Sequence, residues 1–324
     1  MINPERYLNA SASLISYCTG TILQKPLISG MPSTVGIELT NICNLQCPEC
    51  LSGSGSMKRD RGFMKEELFN KIISETGDYL LNINLYFQGE PMMHPGFLRF
   101  VKSAVKTNVT VSTNGHFLDE RINHELAVSR IKRLIISLDG MNKETYTKYR
   151  VNGDFDKVIR GIRDLSEELQ QTKSSLKLEI QFLVNKYNES QICEAKKLAE
   201  DVKASLRLKS MQVINPEQAE SWMPEEEKFR RYRKNGSGKY IRKKTSDRSC
   251  FRLWMNPVVT WDGKVVPCCF DKECDHVMGD LNESTFRDIW HGEKFRKFRE
   301  MVLNNREKIE ICNNCTSGMR GVLV

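Results

Sequence analysis

The sequence predicts an α/β protein, a partial (β/α)6 barrel followed by a small cysteine-rich domain. Three observations predict it. Six β-prone runs alternate with helical patterns between residues 34 and 214. Unusual polar and glycine-containing segments fall directly after the first four of those runs. Six of the eleven cysteines lie between residues 250 and 315.

The elements follow in order. Residues 34–39 are a short β-prone run, and 66–76 read as a helix. Residues 80–87 alternate apolar and polar, as a strand does. A helix is expected over 95–106, with proline at a tolerated early position. Residues 108–112 and 133–137 read as strands on either side of a helix at 119–128. Helices at 143–149 and 156–171, a strand at 176–182, a helix at 190–202 and a weaker strand at 206–214 complete the series. Strands and helices in this order imply a parallel sheet with right-handed crossovers. Six strands are too few to close a full TIM-like barrel but make a curved partial one, with its chemistry at the carboxyl ends of the strands. The expected layout is an N-terminal extension with a short helix (1–34), the barrel (35–215), a basic linker (216–249) and the cysteine-rich domain (250–324).

A chain of 324 residues suits one large domain plus a small one. Hydrophobic residues at 40% and charged residues at 28% are ordinary globular composition. No apolar run approaches the ~18 residues of a membrane-spanning helix. Glu5 stands where a signal peptide carries positive charge, and Ser16, Thr19 and Gly20 break the apolar stretch at 14–23, so the cytosol is the expected location. Eleven cysteines in a reducing compartment are not a disulfide framework. Clustered as they are, they read as metal ligands.

The charge is local. Residues 228–248 contain ten Lys or Arg against Asp247 alone, more than the whole-chain net of +8. That stretch suggests an anionic substrate or partner, or else a solvated surface loop. Nucleic acid is disfavoured, because aromatic interleaving is limited to Phe229, Tyr232 and Tyr240.

Cys43, Cys47 and Cys50 follow the first strand at spacing C-x3-C-x2-C. Three thiolates can hold three irons of a 4Fe–4S cube and leave the fourth open. A structural zinc site is the bland alternative and would need a fourth ligand, for which His94 or His116 could serve. Gln88-Gly89-Glu90-Pro91 follows the second strand, Ser112-Thr113-Asn114-Gly115 ends the third, and Ser137-Leu138-Asp139-Gly140 ends the fourth.

With these motifs the chain resembles the radical S-adenosylmethionine superfamily over roughly residues 35–324. The resemblance implies that S-adenosylmethionine chelates the open iron. One electron then breaks its sulfonium bond, giving methionine and a 5′-deoxyadenosyl radical that abstracts hydrogen. It implies a flavodoxin- or ferredoxin-type electron donor. It also implies contacts to the amino group of S-adenosylmethionine from Gln88, Gly89, Glu90 and Pro91, and to its ribose and carboxylate from Ser112 and Asn114. Asp139 contacts the cofactor or caps a helix, and Gln181 reaches the adenine. Gln88 stands where the family has glycine, and Glu49 where it has an aromatic residue.

The second cysteine group resembles the family's accessory SPASM module. Cys250, a hairpin turned at Asp262-Gly263, Cys268, and Cys312-Asn313-Asn314-Cys315 carry the likeness. Only six cysteines lie here, and the spacing is similar to the shortened, single-cluster twitch relative. That implies Cys250, Cys268, Cys312 and Cys315 as ligands of one auxiliary 4Fe–4S cluster, with Cys269 or Cys274 able to replace Cys268. A four-cysteine zinc ribbon is the alternative.

A closed second cluster suits electron transfer, so oxidation of a small molecule such as a sugar or alcohol ranks above peptide modification or epimerisation. Peptide maturases often carry a recognition domain before the first motif, and only 42 residues precede Cys43. A non-catalytic iron–sulfur or zinc-stabilised protein is the rival from another class.

Overall fold

The structure, a computed structural model, describes residues 4–104, 107–243, 250–313 and 315. Helix α1 (Pro4–Leu23) opens the chain and is far longer than the short helix expected. Strand β1 (Thr34–Ile37), helices α2 (Leu51–Ser54) and α3 (Glu66–Thr76), strand β2 (Asn82–Asn84), helix α4 (Phe97–Ser103) and strand β3 (Asn108–Thr113) follow. Then come α5 (Glu120–Ala127), β4 (Ile131–Ser137), α6 (Lys143–Tyr149), α7 (Phe155–Gln171), β5 (Lys177–Val184), α8 (Ile192–Asp201) and β6 (Ser205–Ser210). The hairpin β7 (Tyr232–Lys234) and β8 (Tyr240–Arg242) precedes α9 (Arg252–Met255), β9 (Val258–Val259), β10 (Lys264–Val266) and β11 (Gly279–Asp280). Helices α10 (Phe286–His291), α11 (Glu293–Asn305) and α12 (Glu310–Asn313) close the described chain.

Local chemistry fixes the helix starts. Asp119, Asn142 and Asp154 precede α5, α6 and α7, and each side chain accepts a backbone N–H three residues on. Helix α7 buries Val158, Ile162 and Leu165 at helical spacing. Two strands are shorter than the alternation suggested, β2 keeping three residues of 80–87 and β6 ending before Met211. Past Leu85 and Ser210 the chain leaves the ladder, and its apolar residues pack in loops instead.

Two compact units are formed. The first draws on residues 1–42, 58–110 and 247–315, and the second on 43–57 and 111–246. In the first, β1 pairs parallel with β2, and β2 with the opening residues of β3. The other edge of β1 is covered by β9, also parallel, and the antiparallel β10 and β11 continue from it. The cysteine-rich region thus extends the sheet of the first barrel strands and removes an exposed edge. In the second unit β4–β5 and β5–β6 are parallel ladders. The segment read as a linker is mostly exposed but anchored by packed residues: Trp222, Met223, Phe229, Arg231 and Tyr232 are all buried.

Glu38, one residue past β1, is fully buried and meets Arg59 through two hydrogen bonds of 2.8 and 2.9 Å. Arg59 also donates to Lys272 O at 2.8 Å, and Glu38 accepts from Trp261 N at 3.3 Å. Burial works against the Arg59 charge and Glu38 outweighs it, so Arg59 titrates above its ordinary value. Removing one partner strands the other charge. Glu38→Ala is expected to destabilise the protein by roughly 3 kcal/mol, and the Glu38→Leu, Arg59→Met double variant by clearly less. Thermal unfolding of the metal-free chains checks both.

Candidate functional site

The first cysteine loop is anchored before it begins. In the first unit Thr40 Oγ1 donates to Gly62 O at 2.7 Å, and Asn41 Nδ2 donates to Asp60 O at 2.8 Å. Gly89, at φ +73°, lies so close that a Cβ would come within 2.6 Å of Thr40 O, which only glycine permits. Glu90 N donates to Ile42 O at 2.8 Å. The Glu90 carboxylate is buried and accepts from Met92 N at 3.1 Å, capping the turn at Pro91–Met93. Gln88 Nε2 donates to Phe87 O, while its buried Oε1 has no hydrogen-bond partner. An orphaned carbonyl beside a close-packed backbone fits an incoming donor such as an ammonium group.

In the second unit Cys47 is buried, and Cys43 and Cys50 are half-buried. Cys50 N donates to Cys47 O at 3.2 Å, and Ser54 N to Cys50 O at 2.8 Å, which starts α2 over the loop. Gly53 allows that approach, since a Cβ there would sit 2.6 Å from Cys47 N. Two residues reach the sulfurs, Asn114 just past β3 and Arg150 just past α6. Asn114 Nδ2 lies 3.8 Å from Cys43 Sγ and donates to Asn44 Oδ1 at 2.8 Å. Arg150 Nη1 lies 3.7 Å from Cys47 Sγ.

Asp139 holds that arginine. Its fully buried carboxylate accepts from Arg150 Nε at 2.6 Å and from Leu183 N at 2.7 Å. The helix-cap role considered for Asp139 falls to Asn142 instead. Burial opposes the Arg150 charge, but Asp139 and the Cys47 thiol outweigh it and hold Arg150 well above its ordinary value. Burial pushes the Cys47 thiol up, and Arg150 works in the other direction.

The remaining predicted positions behave differently. Asn114 Oδ1 accepts from His116 N at 3.0 Å, so Ser112–Gly115 makes a turn and a sulfur contact at once. Ser112 and Gln181 are half-buried on β3 and β5, Gln181 paired with Ser137 in register. Glu49 is buried and accepts from Ile214 N at 2.7 Å, tying the cysteine loop to the chain past β6. His94 and His116 have both ring nitrogens in use. His94 meets Met64 O and Gly96 N, and His116 meets Asn114 Oδ1 and Asp154 N. Neither is free to complete a zinc site. Arg150 was missed by sequence reasoning, having no motif beyond its place one residue past α6.

The first unit also gathers the C-terminal cysteines. The chief electrostatic neighbours of Cys268 include Cys269, Cys250 and Cys315, and burial pushes its thiol far up. Cys312 is pushed up by burial to about 11, with Arg306, Cys250 and Cys315 around it. Arg252 Nη1 donates to Cys269 Sγ at 3.1 Å, and Arg306 Nη2 lies 4.0 Å from Cys315 Sγ. Cys274 stands apart at φ +60°. Burial raises it to about 12, and its main neighbours are Arg59, Asp271, Glu38 and Asp262. These thiols are electrostatic neighbours of one another and of arginines, although among the described residues no three metal-binding side chains are placed to hold an ion.

Two family models match the chain: the radical SAM superfamily over residues 37–178, and an iron–sulfur cluster-binding SPASM domain over 250–316. Residues 37–178 are a radical SAM domain, and residues 250–316 a SPASM domain. With these domains come a 4Fe–4S cluster, an auxiliary cluster and S-adenosylmethionine. Mycofactocin maturase MftC of Mycobacterium tuberculosis is 32% identical over 176 residues, 53% of this chain and 42% of that protein. The chain thus spans under half the length of that relative. The S-adenosyl-L-methionine-dependent 2-deoxy-scyllo-inosamine dehydrogenase of Niallia circulans is 22% identical over 88% of this chain and 93% of its own. SuiB of Streptococcus suis, solved with its precursor peptide SuiA, shares the fold at TM-score 0.65 and 14% identity, over 98% of this chain and 80% of that one.

Groups that hydrogen-bond a metal's ligands typically contribute about 10–100-fold to metal retention or activity. Arg150→Met is expected to lower iron retention at the first cysteine group by about that factor, as measured by the rate of iron loss to a chelator. Loss no faster than in the unaltered protein would show that the Arg150 contact is incidental.

Proposed function

We propose that the chain is a radical S-adenosylmethionine enzyme in which Cys43, Cys47 and Cys50 hold a 4Fe–4S cluster with one iron left to S-adenosylmethionine. The observation that carries this reading is the approach of Asn114 and Arg150 to the sulfurs of Cys43 and Cys47. When bound, cluster and S-adenosylmethionine supply reductive cleavage of the sulfonium bond and a radical that abstracts hydrogen. The chain's own residues hold and surround them. Arg150 offsets thiolate charge, and Asp139 positions Arg150. Gln88 Oε1 is the acceptor for the amino group, with Gly89, Glu90 and Pro91 shaping the backbone there. Ser112 and Gln181 are the candidates for the ribose and adenine.

Cys250, Cys268, Cys312 and Cys315 are the proposed ligands of the auxiliary cluster. Cys268 has no arginine among its principal neighbours, whereas Cys269 is paired with Arg252. Two of the other proposed ligands, Cys250 and Cys315, are among those neighbours, which favours Cys268 as the ligand. Cys274 is the least suited substitute, having none of the other cysteines among its main neighbours.

A substrate that loses a hydrogen atom, then one electron and one proton, ends oxidised by two electrons. Oxidation of a small alcohol or sugar is the reading we favour, supported by the near full-length match to a dehydrogenase. Peptide modification is the second reading, favoured by the higher identity to the maturase over part of its length. The basic stretch gives little support to an anionic partner. Arg230 donates to Pro224 O and Glu225 O, Lys234 pairs with Glu220 at 3.0 Å, and Lys243 donates to Glu227 O. Lys244 and Arg248 lie outside the described residues. Among the described residues no helix is long and apolar enough to cross a membrane. The cytosol, with a flavodoxin- or ferredoxin-type donor, is the proposed setting.

Anaerobic reconstitution is the test. The protein should take up about eight irons per chain, two 4Fe–4S clusters, and release 5′-deoxyadenosine from S-adenosylmethionine with dithionite. The Cys43→Ala, Cys47→Ala, Cys50→Ala variant should hold about four irons and release none. Cleavage that persists in that variant sinks the assignment. Cys268→Ala should lose the auxiliary cluster, and Cys274→Ala should keep it; the reverse would overturn the ligand set.

A further inference from the structure

Helix α1 is amphipathic the wrong way round for a helix lying on a core. Apart from Tyr17, whose ring packs edge-on against Phe251 and Trp254, its inward face is polar or small. Arg6 donates to Gly77 O at 2.7 Å, Asn9 bonds both the N–H and the carbonyl of Met31, and Ser13 donates to Met31 O. Ser16 and Gly20 are buried on the same side. The apolar residues point outward: Leu8 is 70% exposed, Ile15 65% and Ile22 80%. A surface helix ordinarily turns that stripe to the core.

The exposed stripe has the pattern of a helix seam. Leu8, Ile15 and Ile22 recur every seven residues, with Ser11 and Cys18 midway between them. That is the 3.5-residue period with which one helix packs along another, large side chains alternating with small ones. Tyr7, Leu14 and Leu23 flank the seam and are also exposed. At about 100 Å² for each large side chain, with the small residues between, the face offers on the order of 700 Å² per copy. A standard interface buries ~800 Å² per partner, whereas the largest apolar patch of a monomer is usually about 300–600 Å². Charge argues against a lipid surface. An interfacial helix presents a basic polar face, but the one basic residue of α1, Arg6, is bonded to the body of the protein, and its last turn has none.

We propose that the outward face of α1 is the interface of a two-fold homodimer, formed by α1 packing antiparallel on α1 of a second copy. Pairing about the middle of the helix sets Leu8 and Ile15 of each copy against Cys18 and Ser11 of the other, a self-complementary contact as two-fold symmetry requires. The interface uses none of the cysteines proposed as cluster ligands, so its test does not depend on the activity.

Size-exclusion chromatography with light scattering, on the anaerobic cluster-loaded protein, tests it. The unaltered chain should run with the mass of two chains. Ile15→Glu should weaken association at least tenfold and give the mass of one chain, with iron content and thermal unfolding of the monomer retained. Leu8→Lys, nearer the start of the helix and equally exposed, should do the same and decides the matter if Ile15→Glu fails to fold. A single-chain mass for the unaltered protein at every concentration overturns the proposal. So does a dimer that survives both substitutions. A monomer that sediments with phosphatidylcholine–phosphatidylglycerol vesicles, or that dimerises only when residues 316–324 are removed, assigns the face to another occupant and also overturns it.

Discussion

A carboxylate buried just past the end of β4 fixes one arginine, and that arginine is what meets the sulfur of Cys47. Asp139 is wholly enclosed and uses both oxygens, one on Arg150 and one on the Leu183 amide. An ion pair out of water is held tightly in direction, because neither partner has solvent to turn to. The same device stands past β1, where Glu38 grips Arg59 and Arg59 is the chief cation near Cys274. Each unit therefore places a buried acid at the carboxyl end of a strand and uses it to fix a guanidinium.

The protonation of the thiols follows from the same balance. Burial raises Cys47, Cys268, Cys274 and Cys312, disfavouring thiolates in the metal-free chain. Arg150 and Arg306 act against burial at Cys47 and Cys312. Binding of an iron–sulfur group must displace those protons, so its affinity rises with pH, and the arginines lessen the cost of the thiolates that result.

Spacing along the chain was enough to read the first cysteine group, because its three thiols lie within eight consecutive residues and need no distant partner. The alternation of strand and helix was legible for a similar reason: both periods are local. What could not be read depends on which segments meet. Arg150 and Arg59 carry no motif, and their roles arise from Asp139 and Glu38 after folding. Strand β9 has only two residues, too few for any periodic signal, yet it covers the edge of β1. Helix α1 shows an apolar stripe in sequence, but periodicity does not say which way a stripe faces. Glu90, read as a cofactor contact, spends an oxygen on capping its own turn.

The segment read as a basic linker makes the sharpest case. Its charges drew attention, and its apolar residues do the structural work. Trp222, Met223 and Tyr232 join Leu45, Tyr149, Met211 and Val213 in one buried cluster with Cys47, against which Cys43 and Cys50 also pack. Tyr232 Oη lies 3.2 Å from Val213 N, and the Trp222 ring meets the edges of Tyr149 and Tyr187. The cysteine loop is therefore walled on one side by aromatic and aliphatic carbon. Such a wall excludes water, lowers the local dielectric and strengthens the pull between Arg150 and a thiolate beyond what the same distance would give at the surface. Under the proposed function it would also keep solvent from a radical formed there. Net charge is thus a poor guide to this stretch: Arg230, Lys234 and Lys243 meet nearby carbonyls and Glu220, Arg231 is buried, and the aromatic residues between them are drawn in.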